Sequence, residues 1–319
     1  MQRLSGKRAL VTLPVTDEQK QDFRSLIEGA GGEVSFIREP MVTDDDLEDV
    51  SIILGNVPAV TLHAPKELEW LQTSSAGYDH YLAPGKLAVG TLLTNATGAY
   101  GQAVSEHMFA SLLCLMKKLH LYRDNQQKAQ WKDEGSVRSL VGATVLVMGA
   151  GDIGTCFARL VTTVGAHAWG VRRRVEECQK PFERMVALKD VYTVLGEVDV
   201  VASVLPSTPE TKLLVNVDFL AAMRRGSYLV NAGRGDLVDT DALLDALARE
   251  HLAGAALDVT NPEPLPEDHP LWQQPNALIT PHVAGFWHLQ ATTDNVVAIC
   301  RQNLVSYLVG EPLTNVVTR

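Results

Sequence analysis

The sequence predicts an α/β fold of two doubly wound parallel-sheet domains, the second inserted in the first. Three observations predict it. Short apolar runs alternate with helical patterns over residues 7–94, and again, more regularly, from residue 143 onward; such alternation implies parallel strands covered on both faces. A glycine-rich turn heads the second series. A last helical segment, 291–309, begins only after that series is complete, so it can return to the first lobe. With 319 residues, 46% of them hydrophobic, the chain has material for more than one core.

In the first lobe, residues 7–13 (KRALVTL) read as a buried strand. Residues 17–30 read as a helix with Phe23, Leu26 and Ile27 on one face and Gly29, Gly31 and Gly32 to stop it. A second strand is expected over 33–37, a short acidic helix capped by Thr43 over 43–49, and strands over 51–54, 68–73 and 91–94. One long apolar helix is expected over 100–122, in which Glu106 and His107 make local hydrogen bonds and packing contacts. Residues 123–139 are mostly polar around a single Trp131. The second series predicts strands over 143–149, 167–171, 198–205, 226–232, 254–259 and 276–281, the number a full dinucleotide-binding sheet takes.

The net charge of −10 argues against non-specific binding to nucleic acid or anionic lipid. It leaves room for a small anion held by a few arginines. Cys114, Cys156, Cys178 and Cys300 have neither paired nor metal-like spacing and read as reduced thiols, with no metal site. The polar start carries no signal-peptide pattern, and no apolar run reaches membrane-spanning length, so a soluble cytoplasmic protein is expected.

Gly149-Ala150-Gly151-Asp152-Ile153-Gly154 is a G-x-G-x-x-G that follows an apolar strand and opens a helix over 155–164. Gly149 permits the tight turn, Gly151 lets a pyrophosphate approach the backbone, and Gly154 lets helix and strand pack closely. The next strand ends in Val171-Arg172-Arg173-Arg174, with no acid before Glu176. A carboxylate there would bind the ribose 2′-hydroxyl of NAD, whereas guanidinium groups pair with a 2′-phosphate, so NADPH is expected over NADH.

Further on, Leu205-Pro206-Ser207-Thr208-Pro209-Glu210-Thr211, NAGRGDLVDTDAL (231–243), LDVTNPEPLPEDHPLW (257–272) and ITPHVAGF (279–286) follow in order. On these motifs the sequence resembles the D-isomer-specific 2-hydroxyacid dehydrogenase family over nearly its whole length, leaning to the glyoxylate/hydroxypyruvate reductase-like members. The resemblance implies a Rossmann NAD(P)-binding domain (99–285) inserted in a flavodoxin-like substrate domain (1–98 and 286–319). It also implies hydride transfer from NADPH to a small 2-keto acid, giving the D-2-hydroxy acid.

That chemistry needs a cation for the carboxylate and a proton donor for the carbonyl oxygen. Arg234, flanked by Gly233 and Gly235, suits a forked contact with carboxylate and keto oxygen. His282 follows a strand, and imidazole titrates near neutrality, which fits a general acid. Glu263, stiffened between Pro262 and Pro264, would favour the charged imidazole and fix its orientation. By resemblance these are the family's catalytic Arg, Glu and His, all expected at carboxyl ends of strands. The same resemblance places Asp152, Ile153, Leu205, Pro206, Thr211, Ala232, Gly233, Asp258, Ala284 and Gly285 along the cofactor. It makes Ser75, Ala76 and Gly77 the substrate-carboxylate loop, with Asn56 and Val57 near the side-chain pocket.

The segment around residues 100–139 matches the region through which family members dimerise, and Trp131 packs either on its own domain or into a partner subunit. Trp287 and His288 differ from the small residues many relatives carry there. Two other readings stay open: a same-fold dehydrogenase of formate or phosphite, and a dinucleotide-sensing protein like the family's transcriptional corepressors.

Overall fold

The computed structural model describes residues 3–175 and 177–318; Glu176, the first acid after the arginine run, lies outside the described residues. The chain forms two compact units, Met1–Tyr100 with Trp287–Arg319, and Gly101–Phe286.

In the first unit, β1 (Arg8–Val11) leads into α1 (Asp17–Gly29). Thr16 and Gln19 form a reciprocal capping box at the start of that helix, and Asp17 and Glu18 complement its positive end. Its inner face buries Phe23 and Ile27. Then follow β2 (Glu33–Phe36), β3 (Val50–Leu54), β4 (Trp70–Gln72) and β5 (Leu92–Thr94). The strands are parallel, in the order β2-β1-β3-β4-β5, which is the flavodoxin order. The acidic segment 43–49 is shorter than expected: only Asp45–Leu47 is helical, as one 3-10 turn. Glu48 is already extended and Asp49 is left-handed at φ 58°, so no second turn forms.

The second unit opens with α2 (Gly101–Met116) and α3 (Leu119–Gln127) where the sequence suggests one helix. Lys118 breaks it, in the left-handed region at φ 57°. The Met116 carbonyl accepts from the Arg138 amide (3.1 Å), and Lys117 Nζ donates to the Arg138 carbonyl (2.7 Å), so the polar segment 123–139 folds back over the break. The sheet follows: β6 (Thr144–Met148), α4 (Asp152–Thr163), β7 (His167–Arg172), β8 (Arg184–Ala187), β9 (Val200–Ser203), α5 (Val217–Ala222), β10 (Ser227–Asn231), α6 (Thr240–Ala248), β11 (Leu252–Leu257) and β12 (Ala277–Ile279). All pairings are parallel, and the order β12-β11-β10-β9-β6-β7-β8 is the Rossmann order extended by one strand. Strand β12 is the extension, while β8, third in chain order, is the one the sequence pattern does not announce. It is four residues long, starts on an exposed arginine and pairs only with β7, which is how edge strands are blunted. Leu146, Met148, Val201, Leu229 and Leu257 of this sheet pack with Phe219, Leu243 and Leu247 of α5 and α6.

The last helix, α7 (Gln290–Val309), belongs to the first unit. Its Tyr307 stacks on Trp70 with ring centroids 4.9 Å apart, and Arg301 pairs with Asp22 at 2.6 Å. Asn303, fully buried, donates to Gln72 Oε1 (2.7 Å) and accepts from the Thr314 amide (2.9 Å). A buried amide without these partners would be costly, so the network fixes the register of helix on sheet.

Candidate active site

Three neighbouring strands of the second unit deliver the catalytic candidates to one edge. In β10 and β11, Asn231 pairs with Leu257, and in β11 and β12, Leu257 pairs with Ile279, so the three carboxyl ends are level. Ligands of open parallel sheets bind at such edges.

After β10 the buried Asn231 folds the turn around its own side chain. Oδ1 accepts from the Gly233 amide (3.1 Å), and Nδ2 donates to the Arg234 carbonyl (3.0 Å). The two glycines beside Arg234 are needed for close approach. A Cβ on Gly233 would lie 2.6 Å from the Leu205 carbonyl oxygen, and one on Gly235 would lie 1.8 Å from that of Thr260. Arg234, half-buried, donates from Nη1 to the Gly233 carbonyl (2.8 Å). Ser207 Oγ donates to Asp236 Oδ2 (2.6 Å), tying the 205–211 loop to the Arg234 turn. Within that loop Thr211 is buried and donates to the Pro206 carbonyl (2.7 Å), so its hydroxyl serves the loop's own shape.

After β12 the chain turns sharply at His282, whose φ of 53° is unusual for a residue with a side chain. Asp258, at the end of β11, holds this turn. Its carboxylate, only 3% exposed, accepts from Thr280 Oγ1 (2.7 Å), the Val283 amide (2.9 Å) and the Ala284 amide (3.0 Å). Its backbone carbonyl accepts from the His282 amide (2.8 Å). His282 Nδ1 lies 2.6 Å from Glu263 Oε1, with the two side chains 48% and 43% exposed. A carboxylate only accepts, so Nδ1 carries the proton in this bond, and Nε2 is the nitrogen left to exchange one.

The glycine turn is tight on one side and open on the other. Gly149 sits at φ 104°, and a Cβ on Gly154 would lie 2.1 Å from the Gly149 carbonyl oxygen. A Cβ on Gly151, by contrast, would meet nothing within 4 Å, which marks open space against the backbone. No side chain caps α4, and its first-turn amides lack intrahelical acceptors. Asp152 turns its carboxylate toward Gly101: a Cβ there would lie 3.0 Å from Asp152 Oδ1. Burial, with the Asp152 charge adding to it, pushes the Cys156 thiol up from its ordinary range. Arg172 lies over the turn, donating from Nε (2.9 Å) and Nη2 (2.6 Å) to the Ala150 carbonyl. A Thr208 side-chain hydrogen bond, with a smaller contribution from the Arg173 charge, holds the Glu210 carboxyl below its ordinary range.

In the first unit, the Ser75–Gly77 candidates follow β4. Asn56 Oδ1 accepts from the Ser74 amide (3.0 Å), and Ser75 Oγ donates to the Gly77 carbonyl (2.5 Å). Among the described residues nothing accepts from the Ala76 and Gly77 amides. Val57 is a core residue, with its backbone clamped on the Tyr81 hydroxyl.

One long-range contact at this edge is not visible in the sequence. His107 Nε2 reaches Thr280 Oγ1 at 3.0 Å, across 173 positions, instead of bonding locally. A lone imidazole in a mostly apolar helix, next to Glu106, is the signal the sequence offers for it. Trp131 is 106% exposed. Among the described residues no cluster of His, Cys, Asp or Glu is placed to hold a metal, and no helix is long and apolar enough to cross a membrane.

Comparison with known proteins places this geometry. The family model for the D-isomer specific 2-hydroxyacid dehydrogenase NAD binding domain matches residues 109–284. Glyoxylate reductase of Thermofilum pendens is 30% identical over 272 residues, covering 82% of this chain and 78% of that protein. A solved D-isomer specific 2-hydroxyacid dehydrogenase family protein from Aeromonas salmonicida superposes with a TM-score of 0.83 at 30% identity, covering 98% of this chain and 99% of that one. Another, from Xanthobacter autotrophicus and solved with NADPH and MES, gives a TM-score of 0.80 at 25% identity and 98% coverage of each chain.

Proposed function

Because the chain belongs to the D-isomer-specific 2-hydroxyacid dehydrogenase family, and is thus an NAD(P)-dependent oxidoreductase, we propose that it reduces the keto group of a small 2-keto acid with NADPH, giving the D-2-hydroxy acid. The substrate is of the glyoxylate or hydroxypyruvate kind, or bulkier. The observation that carries this reading is the Glu263–His282 pair at 2.6 Å, on the strand edge that also presents Arg234.

In this reading Arg234 binds the substrate carboxylate and polarises the keto oxygen through its fork of N–H groups. His282 Nε2 gives a proton to that oxygen, and Glu263 holds the ring and balances its charge. Bound NADPH supplies the hydride that the carbonyl carbon accepts. We assign the glycine turn, Ile153 and the loops at 205–211, 232–233 and 284–285 to holding the cofactor. Arg172, Arg173 and Arg174 then pair with its 2′-phosphate, and the Xanthobacter relative solved with NADPH supports that preference. In the first unit the unengaged amides of Ala76 and Gly77, beside Ser75, suit a carboxylate. The second unit is thus the cofactor domain and the first the substrate domain, with boundaries near residues 98 and 286.

A fully exposed Trp131, on a segment that also exposes Leu119, Val137 and Val141, supports a homodimer. Four free cysteines fit the reducing cytoplasm.

A single absorbance assay tests the reading. NADPH is consumed with at least one of glyoxylate, hydroxypyruvate or a bulkier 2-keto acid, faster than NADH is, and barely at all without one. Tight NADPH binding with no turnover across the panel would instead mark a cofactor-sensing binding protein. Turnover confined to formate or phosphite with the oxidised cofactor would move the reaction.

A further inference from the structure

Thr280 carries one hydroxyl proton and stands between two partners, Asp258 Oδ1 at 2.7 Å and His107 Nε2 at 3.0 Å. The Asp258 carboxylate already accepts the Val283 and Ala284 amides, so the hydroxyl donates to it. The Thr280 oxygen is then an acceptor toward His107, which must carry its proton on Nε2. A direct Nε2–Oδ1 distance of 3.8 Å keeps imidazole and carboxylate adjacent as well.

This chain of bonds ends on the turn that carries the His282 imidazole. Asp258 binds residues 280, 283 and 284 through its side chain and His282 through its carbonyl, so it grips the whole left-handed turn that aims the ring. Helix α2 does not need His107 for its own packing: Val104, Met108, Leu112 and Leu115 bury its inner face, while the His107 side chain stays 26% exposed. We infer that His107 is a positioning residue for the reduction, acting through Thr280 and Asp258 on the backbone that carries His282. The inference rests on His282 being the proton donor proposed above. It gives α2 a role in the chemistry, because a displacement of the donor by about 1 Å can cost on the order of 10²-fold in rate.

The test compares full-length wild type with His107→Leu, Thr280→Val and the double variant, reading kcat, KM for the best 2-keto acid and NADPH affinity. Each single change is expected to lower kcat by roughly 5–20-fold with KM and NADPH affinity moved by less than about threefold, and the double variant to fall no further than the worse single. His107→Gln, which keeps a donor near the Nε2 position, is expected to restore kcat to within about threefold of wild type. Nitrogen-15 spectra of the histidines in the apo protein should show His107 as the Nε2–H tautomer, and Thr280→Val should release that preference. A His107→Leu enzyme with wild-type kcat, single losses that multiply in the double variant, or an Nδ1–H tautomer would each overturn the inference. A wild-type protein that reduces no 2-keto acid would overturn the functional reading instead, and the spectra would still decide whether the His107–Thr280 link exists.

Discussion

Arg172 shows how one side chain can serve two ends. Its Nε and Nη2 brace the Ala150 carbonyl inside the glycine turn, which brings the guanidinium to the place where a nucleotide phosphate is expected. Arg173 and Arg174 follow, both exposed. Replacing Arg172 and Arg173 together with Ala is expected to weaken NADPH binding by about 1.5–3 kcal/mol for each charged bond lost, with NADH affected far less. Calorimetric titration with both cofactors checks this, and equal losses would point to a damaged turn and not to recognition of the 2′-phosphate. At this scale the sequence was most legible where chemistry and motif coincide. Glu263 between two prolines and His282 after a strand stand out by residue type, while their 2.6 Å separation depends on β11 and β12 being neighbours. Asp258 is visible as an acid ending a strand, but its three bonds to Thr280, Val283 and Ala284 are made by a turn that no local pattern describes. His107 is less legible still, since its partner lies 173 positions away.

Secondary-structure elements were readable in proportion to their burial. Strand β3 is buried at every position and β6 at all but its first, so both appear as continuous apolar runs. Strand β8 sits at the edge and offers only two buried residues, too few for a pattern. The division of α2 from α3 turns on Lys118 adopting a left-handed conformation, which its side chain does not announce and which the fold-back of Arg138 enforces. The glycine turn was legible as a motif, and the structure separates the duties within it. Gly154→Ala would drive a Cβ to 2.1 Å from the Gly149 oxygen and push α4 off β6. We expect it to cost about 1–3 kcal/mol of stability, seen as a lower Tm in thermal denaturation. Gly151→Ala adds a methyl to open space, so its Tm should stay near wild type while cofactor affinity falls. A Tm loss for Gly151→Ala as large as that for Gly154→Ala would contradict this division.

For the whole molecule, the two parallel sheets follow from the repeated strand–helix alternation, and their orders match the flavodoxin and Rossmann patterns. The return of α7 to the first unit depends on contacts remote in sequence, Asn303 with Gln72 and Tyr307 with Trp70. Sequence order suggests that return, and only buried polar pairing of this kind makes it specific. The interrupted arrangement leaves the proposed proton donor, its carboxylate partner, the arginine and the glycine turn in one unit, Gly101–Phe286. That unit is accordingly expected to bind the cofactor whether or not it can turn over. The most direct measurement is therefore the turnover of His282→Ala beside its NADPH affinity. The account predicts kcat lower by ~10²–10⁴-fold, as for a lost general acid, with NADPH affinity within about threefold of wild type. A near-wild-type rate from that variant would contradict it, because no proton could then be passing through the Glu263–His282 pair.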